Sequence, residues 1–88
     1  MIAALNADRL GRAASARERL QALSGREREI LALVGAGLSN AEIGRRLFLV
    51  GGTVKAYVSA VLTQLGVRNR VQAAVLAFQA GLVDDDLT

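Results

Sequence analysis

Between Gly52 and Thr63 the chain places Thr53, Lys55, Tyr57, Ser59 and Thr63 among small residues, in the run GTVKAYVSAVLT. At 3.6 residues per turn, Gly52, Ala56, Ser59 and Thr63 fall on one side of a helix, with Lys55 at its margin and Tyr57 on a flank. Val54, Val58, Val61 and Leu65 fall on the other. A helix face that meets only solvent usually carries Glu, Lys and Arg, because nothing restricts their size. A slim face with hydroxyls, methyls and one cation is what a DNA major groove admits, since the backbone must come close to the base edges. Ser39 and Thr53 supply hydroxyls, and Lys55, Arg68 and Arg70 cations, for phosphate oxygens, with Arg45 or Arg46 as further candidates.

Other chemistries are poorly supplied. There is no Cys and no His, which removes disulfides, thiolate nucleophiles, zinc sites with Cys or His ligands and histidine acid-base catalysis. An enzyme would rest on Ser, Lys or the run Asp84-Asp85-Asp86, which follows the final helix and reads as a solvated tail. No enzyme activity, cofactor or metal is expected. From Leu23 to Val83 six Arg and one Lys face three Glu, a net +4 in the body of the chain. That balance suits a polyanion. The longest charge-free stretch, Val71 to Val83, falls short of the roughly 20 apolar residues of a membrane span, and the first residues lack a basic signal-peptide start. A soluble cytoplasmic protein is the expectation.

Four helices should position these groups. The apolar share is 52% with Phe48, Phe78 and Tyr57 as the aromatics, so the core must be Leu, Val, Ile and Ala in packed helices. Ser24-Gly-Arg-Glu27 and Ser39-Asn-Ala-Glu42 have the spacing of capping boxes, and Leu38 with Ile43 that of a hydrophobic staple. The first helix carries Ile30, Leu31 and Val34 and ends at Gly35-Ala-Gly37; the second runs to about Leu47 on an apolar face of Ile43, Leu47 and Ala41, with Arg45 and Arg46 outward. A turn at Leu49 to Gly51 leads to the third helix, about 52–65, stopped by Gly66. Glycines at 51 and 52 would let the backbone bend sharply and approach a phosphate, or simply form a loose turn. Asn69-Arg-Val-Gln72, a weaker capping box, opens a fourth helix to Ala80. VQAAVLAFQA is apolar nearly all round, so Val71, Ala74, Val75 and Phe78 are candidates for contact with a second copy. Residues 1–22 read as a helical lead-in or a linker, with Leu5, Leu10, Leu20 and Leu23 as packing points; 84–88 form the acidic tail.

The sequence from Leu23 to Val83, anchored by LSGRERE, GLSNAEIGRRLF, GTVKAYVSAVLTQLGV and RNRVQA, resembles the LuxR/FixJ-type (GerE-like) helix-turn-helix DNA-binding domain of bacterial transcription regulators. The resemblance implies an all-α fold of four helices, here with the additional lead-in, in which the second and third form the helix-turn-helix and the fourth makes a dimer contact. It implies that Lys55, Ala56 and Ser59 face bases, that Thr53 contacts phosphate, and that Asn40, Arg68 and Arg70 lie near the DNA backbone, with Glu27 and Arg46 tying helices together. Double-stranded DNA is the implied partner, bound by a homodimer on a two-fold related site, and RNA polymerase stays open as a further one. Family members often carry a phosphorylated receiver or a ligand-binding domain ahead of this module, so the resemblance also implies a response regulator.

The departures are local. Val50-Gly51 replaces the family's usual Ser-Glu, removing a side-chain cap and an acidic group, Tyr57 stands where His is usual, and Gly25 where Pro is common. With Lys55 the only long base-facing side chain, modest sequence discrimination is expected. A different class of function, a protein-interaction module built on a helix-turn-helix with weak DNA affinity, would use the slim face or the fourth helix.

Overall fold

The computed structural model describes residue 11 and residues 14–83. They form five helices and no strand: α1, described over 14–21, α2 (Gly25–Gly35), α3 (Asn40–Leu47), α4 (Gly51–Leu65) and α5 (Arg70–Gln79). Leu5, Leu10 and the Asp84 to Asp86 run lie outside the described residues.

Local chemistry sets most of these limits. At α2 the Ser24 hydroxyl accepts from Glu27 N–H at 3.1 Å while the Glu27 carboxylate accepts from Ser24 N–H at 2.8 Å. Ser39 and Glu42 repeat the pair at α3, at 3.2 and 2.8 Å. Each cap is worth about 1 kcal/mol. At α5 only half of the expected box forms. Asn69 Oδ1 accepts from Gln72 N–H at 3.0 Å, but Gln72 Oε1 accepts from Arg68 N–H at 2.7 Å, one residue earlier than the reciprocal arm would. Left-handed glycines at 37, 66 and 81 follow α2, α4 and α5.

Packing then joins the helices. α5 lies chiefly on α2, α2 also packs on α4, and α3 packs on α4. Ile30, Leu31, Ile43, Val54 and Val61 are sealed from solvent, and among the described residues no polar side chain is buried with them. Burial of each such side chain stabilises by roughly 1.5–3 kcal/mol. Ala16 and Leu20 of α1 join the same core, as does Leu23. On α3 the inward residues are Ile43 and Gly44 with Leu47 half-buried, whereas Ala41 is exposed, contrary to the expected apolar face. Ala41 stands two positions before Ile43, which on a helix turns it about 200° away. Among the described residues no single helix is long and apolar enough to cross a membrane.

The turn between α3 and α4 is not bent at Gly51 and Gly52, where the sequence suggested a bend. Both are the first residues of α4, neither has a positive φ, and a Cβ on either would meet open space. The bend is made by Phe48, left-handed at φ 59°, ψ 45°. It is the one non-glycine residue with positive φ among those described. Gly44 supplies the close approach: a Cβ there would sit 2.7 Å from the Leu49 carbonyl oxygen and 3.4 Å from Val54 Cγ2. With these two residues in place, α3 and α4 are related by a bend of 108°, within the range of a helix-turn-helix.

Candidate nucleic-acid interface

Helix α4 buries Val54, Val58, Val61 and Leu65, the stripe expected from spacing. Its opposite side is open: Gly51, Gly52, Lys55, Ala56, Ser59 and Thr63 are exposed, and Thr53 and Tyr57 are half-buried on the flanks. Lys55 is the only charged residue of α4, and its first turn holds no acid. The outer face is therefore narrow, acid-free and marked by one cation. Beside it Glu27, Thr53, Ala56, Tyr57 and Ala60 line a shallow groove.

The N-terminus of α4 lacks a side-chain cap. Val50 occupies the N-cap position at φ −74°, ψ 154°, 73% exposed and with no side-chain cap hydrogen bond. Its carbonyl accepts from Thr53 and Val54 N–H at 3.0 and 3.1 Å, so the helix is closed by backbone alone. The leading amide groups stay unfilled by any side chain, and with the helix dipole they favour an anion.

The start of α3 is ordered differently. Ser39 is exposed and its hydroxyl accepts from Glu42 N–H, which leaves its own proton as a donor. The hydrogen bond from Ser39 N–H to the Glu42 carboxylate holds that carboxyl below its usual range, aided by the nearby charge of Arg45. Arg70 and Asn40, both expected near the DNA backbone, are bonded to each other: Arg70 Nη1 donates to Asn40 Oδ1 at 2.8 Å, and Nη2 to the Leu38 carbonyl at 2.9 Å. Arg68 is exposed. Glu27 and Arg46 do not tie helices together; the Glu27 carboxylate is taken up by its own helix cap, and Arg46 is exposed with no interhelical hydrogen bond among the described residues. Among the described residues, Arg28 and Arg70 make the side-chain hydrogen bonds that join one segment to another, Arg28 through the Leu20 carbonyl at 3.2 Å.

On α5, Ala73, Leu76 and Ala77 point into the core. Val71, Val75 and Phe78 are 70%, 51% and 56% exposed, and Ala74 is half-buried. Three large apolar side chains thus stand in solvent on one helix.

Residues 21–77 match the family model described as bacterial regulatory proteins, luxR family. The chain belongs to that family. LuxR-family membership makes this a DNA-binding domain of transcription regulators and not an enzyme. YhjB of Escherichia coli is 51% identical over 57 residues, 65% of this chain and 28% of YhjB. The transcriptional regulatory protein LnrK of Bacillus subtilis is 45% identical over 60 residues, 68% of this chain and 27% of that protein. The DNA-binding transcriptional activator DevR/DosR of Mycobacterium tuberculosis is 47% identical over 65 residues, covering 74% of this chain and 30% of the activator. The chain therefore spans less than a third of the length of these relatives. A response regulator, VraR of Staphylococcus aureus, is also similar, at 42% identity over 66 residues.

Three features of this LuxR-family site were not read from the sequence. Gly44 had a signal, an isolated glycine inside the helical run NAEIGRRL. Phe48 had none, because aromatic residues are unusual in the left-handed region. The Arg70–Asn40 bond joins residues 30 apart, and nothing local points to it.

Proposed function

We propose that α4 lies in the major groove of duplex DNA, with Lys55, Ala56 and Ser59 facing the bases. Thr53, Tyr57, Ser39, Asn40 and Arg68 then contact the DNA backbone, and Arg70 stands beside them. The supporting observation is the exposed face of α4, narrow and free of acid along Gly52, Ala56, Ser59 and Thr63 with Lys55 at its edge. Ala56 offers a methyl for apolar contact with thymine, and Lys55 an ammonium for guanine acceptors. In this reading the protein acts in the cytoplasm as a homodimer, two copies meeting through Val71, Ala74, Val75 and Phe78 of α5 and reading half-sites about one helical turn apart. Contact with RNA polymerase belongs to the same reading.

The experiment is selection of bound sequences from a random duplex pool, followed by titration of the enriched site at several salt concentrations. Affinity should fall steeply with salt as bound cations release counterions. Lys55→Ala should weaken binding to the enriched site by about tenfold or more while leaving the helical circular dichroism unchanged. A Lys55→Ala variant that binds as tightly as the parent would falsify the placement of α4.

A further inference from the structure

Arg70 is the first residue of α5, and its backbone is held on both sides: Asn69 caps the helix and Gln72 holds the Arg68 amide. From that fixed base its guanidinium reaches out to the beginning of α3. One end donates to Asn40 Oδ1 and the other to the Leu38 carbonyl, so the two acceptors bracket Ser39, the N-cap of α3. Leu38 N–H in turn donates to the Leu33 carbonyl at 3.1 Å, tying the same loop back to α2. Helices α3 and α5 share no extensive packed face, and the Arg70 fork joins the start of one directly to the start of the other.

The fork also decides which end of the Asn40 amide points outward. An Asn side chain has an acceptor oxygen and a donor nitrogen, and an exposed one can present either. With Oδ1 engaged by the Arg70 cation, Nδ2 is left to face away, and a donor is what a phosphate oxygen requires. We propose that Arg70 is a positioning residue: it orients the Asn40 amide and the first turn of α3 so that Asn40 Nδ2 donates to the DNA backbone, and it is not itself a phosphate ligand. This rests on the DNA reading above. Lysine is a poor replacement, because its donors sit on one nitrogen, whereas Arg70 meets its two acceptors from two nitrogens held in a planar fork.

The test compares parent, Arg70→Lys, Arg70→Ala, Asn40→Ala and the Arg70→Lys/Asn40→Ala double variant, each bound to the selected duplex across a salt series at a temperature where circular dichroism shows it folded. If Arg70 acts through Asn40, Arg70→Lys and Asn40→Ala each weaken binding by about three- to thirtyfold, and the double variant is no weaker than the weaker single one. Arg70→Ala then leaves the slope of log affinity against log salt unchanged. A direct phosphate contact predicts the opposite pattern: Arg70→Lys near the parent, additive losses in the double variant, and a slope lowered by about one on Arg70→Ala. That pattern overturns the inference alone. Failure of the parent to bind any duplex overturns the DNA reading and the inference with it. Nuclear magnetic resonance on the unmutated chain covers the case of a variant that does not fold. On adding duplex, the Asn40 Nδ2 protons should shift while the Arg70 guanidinium protons hold; a shift of Arg70 without Asn40 would sink the proposal.

Discussion

The carbonyl of Gly44 accepts from Leu49 N–H at 2.8 Å, and the Leu49 carbonyl lies so close to the Gly44 Cα that a Cβ would stand 2.7 Å from its oxygen. Each residue thus holds the other across the bend that sets α4 against α3. Gly44→Ala should cost about 1–3 kcal/mol, since backbone has to move, even though Ala is the better helix former. Gly51→Ala and Gly52→Ala, where a Cβ meets open space, should each stabilise by roughly 0.5–1 kcal/mol. Denaturant unfolding of the three variants checks the contrast; equal effects at all three positions would remove the role given to Gly44.

Val50 holds an N-cap position with the right extended backbone and the wrong side chain. Val50→Ser should add a hydroxyl acceptor for the first turn of α4 and stabilise by about 0.5–2 kcal/mol. At roughly 4–8 °C per kcal/mol for a domain of this size, the gain should be visible in a thermal melt. An unchanged or lower Tm would show that the backbone bonds from Val50 already satisfy this end.

Glu42 ionises more readily in the folded chain because its carboxylate accepts from Ser39. A carboxyl with a lowered folded-state pKa binds fewer protons when folded than when unfolded, so stability rises with pH across its titration. Its contribution is complete above the ordinary Glu value of about 4.3 and is lost as pH falls through the lower folded-state value. Glu42→Gln keeps an acceptor for Ser39 N–H but does not titrate. The stability gap between parent and variant should therefore narrow below about pH 4, as read by urea unfolding at pH 3 and pH 7. A gap that is constant between those two pH values counts against the assignment.

Val75 is half out of solvent contact while Ala73, two residues earlier, is sealed at 1% exposure. Val75→Glu should leave the fold intact and shift sedimentation toward monomer if α5 pairs with a second copy. Ala73→Glu should instead unfold the domain, because it buries an unpaired carboxylate. A parent that stays monomeric at high concentration and on DNA would remove the pairing of α5.

What the sequence determined by itself lies within a few residues of chain. The capping pairs Ser24 with Glu27 and Ser39 with Glu42, the glycine stop at Gly66 and the buried valine stripe of α4 follow from hydrogen bonds and periodicities that span three or four residues. Such features were legible because their partners are fixed by the helix itself. The exposed slim face of α4 followed for the same reason: naming the buried stripe names its opposite.

Tertiary structure alone decided the rest. Helix α5 is apolar on several faces, so only its seat on α2 shows that Ala73, Leu76 and Ala77 turn inward and Val71, Val75 and Phe78 outward. The left-handed Phe48 and the close approach at Gly44 arise because α3 and α4 are held at a large angle by packing, a condition no local propensity encodes. The Arg70 fork on Asn40 and Leu38 exists because two helix starts, distant in the chain, are brought side by side by the helices between them. A long polar side chain in the sequence announces only its reach and charge; which partner it meets depends on where the rigid elements place their ends.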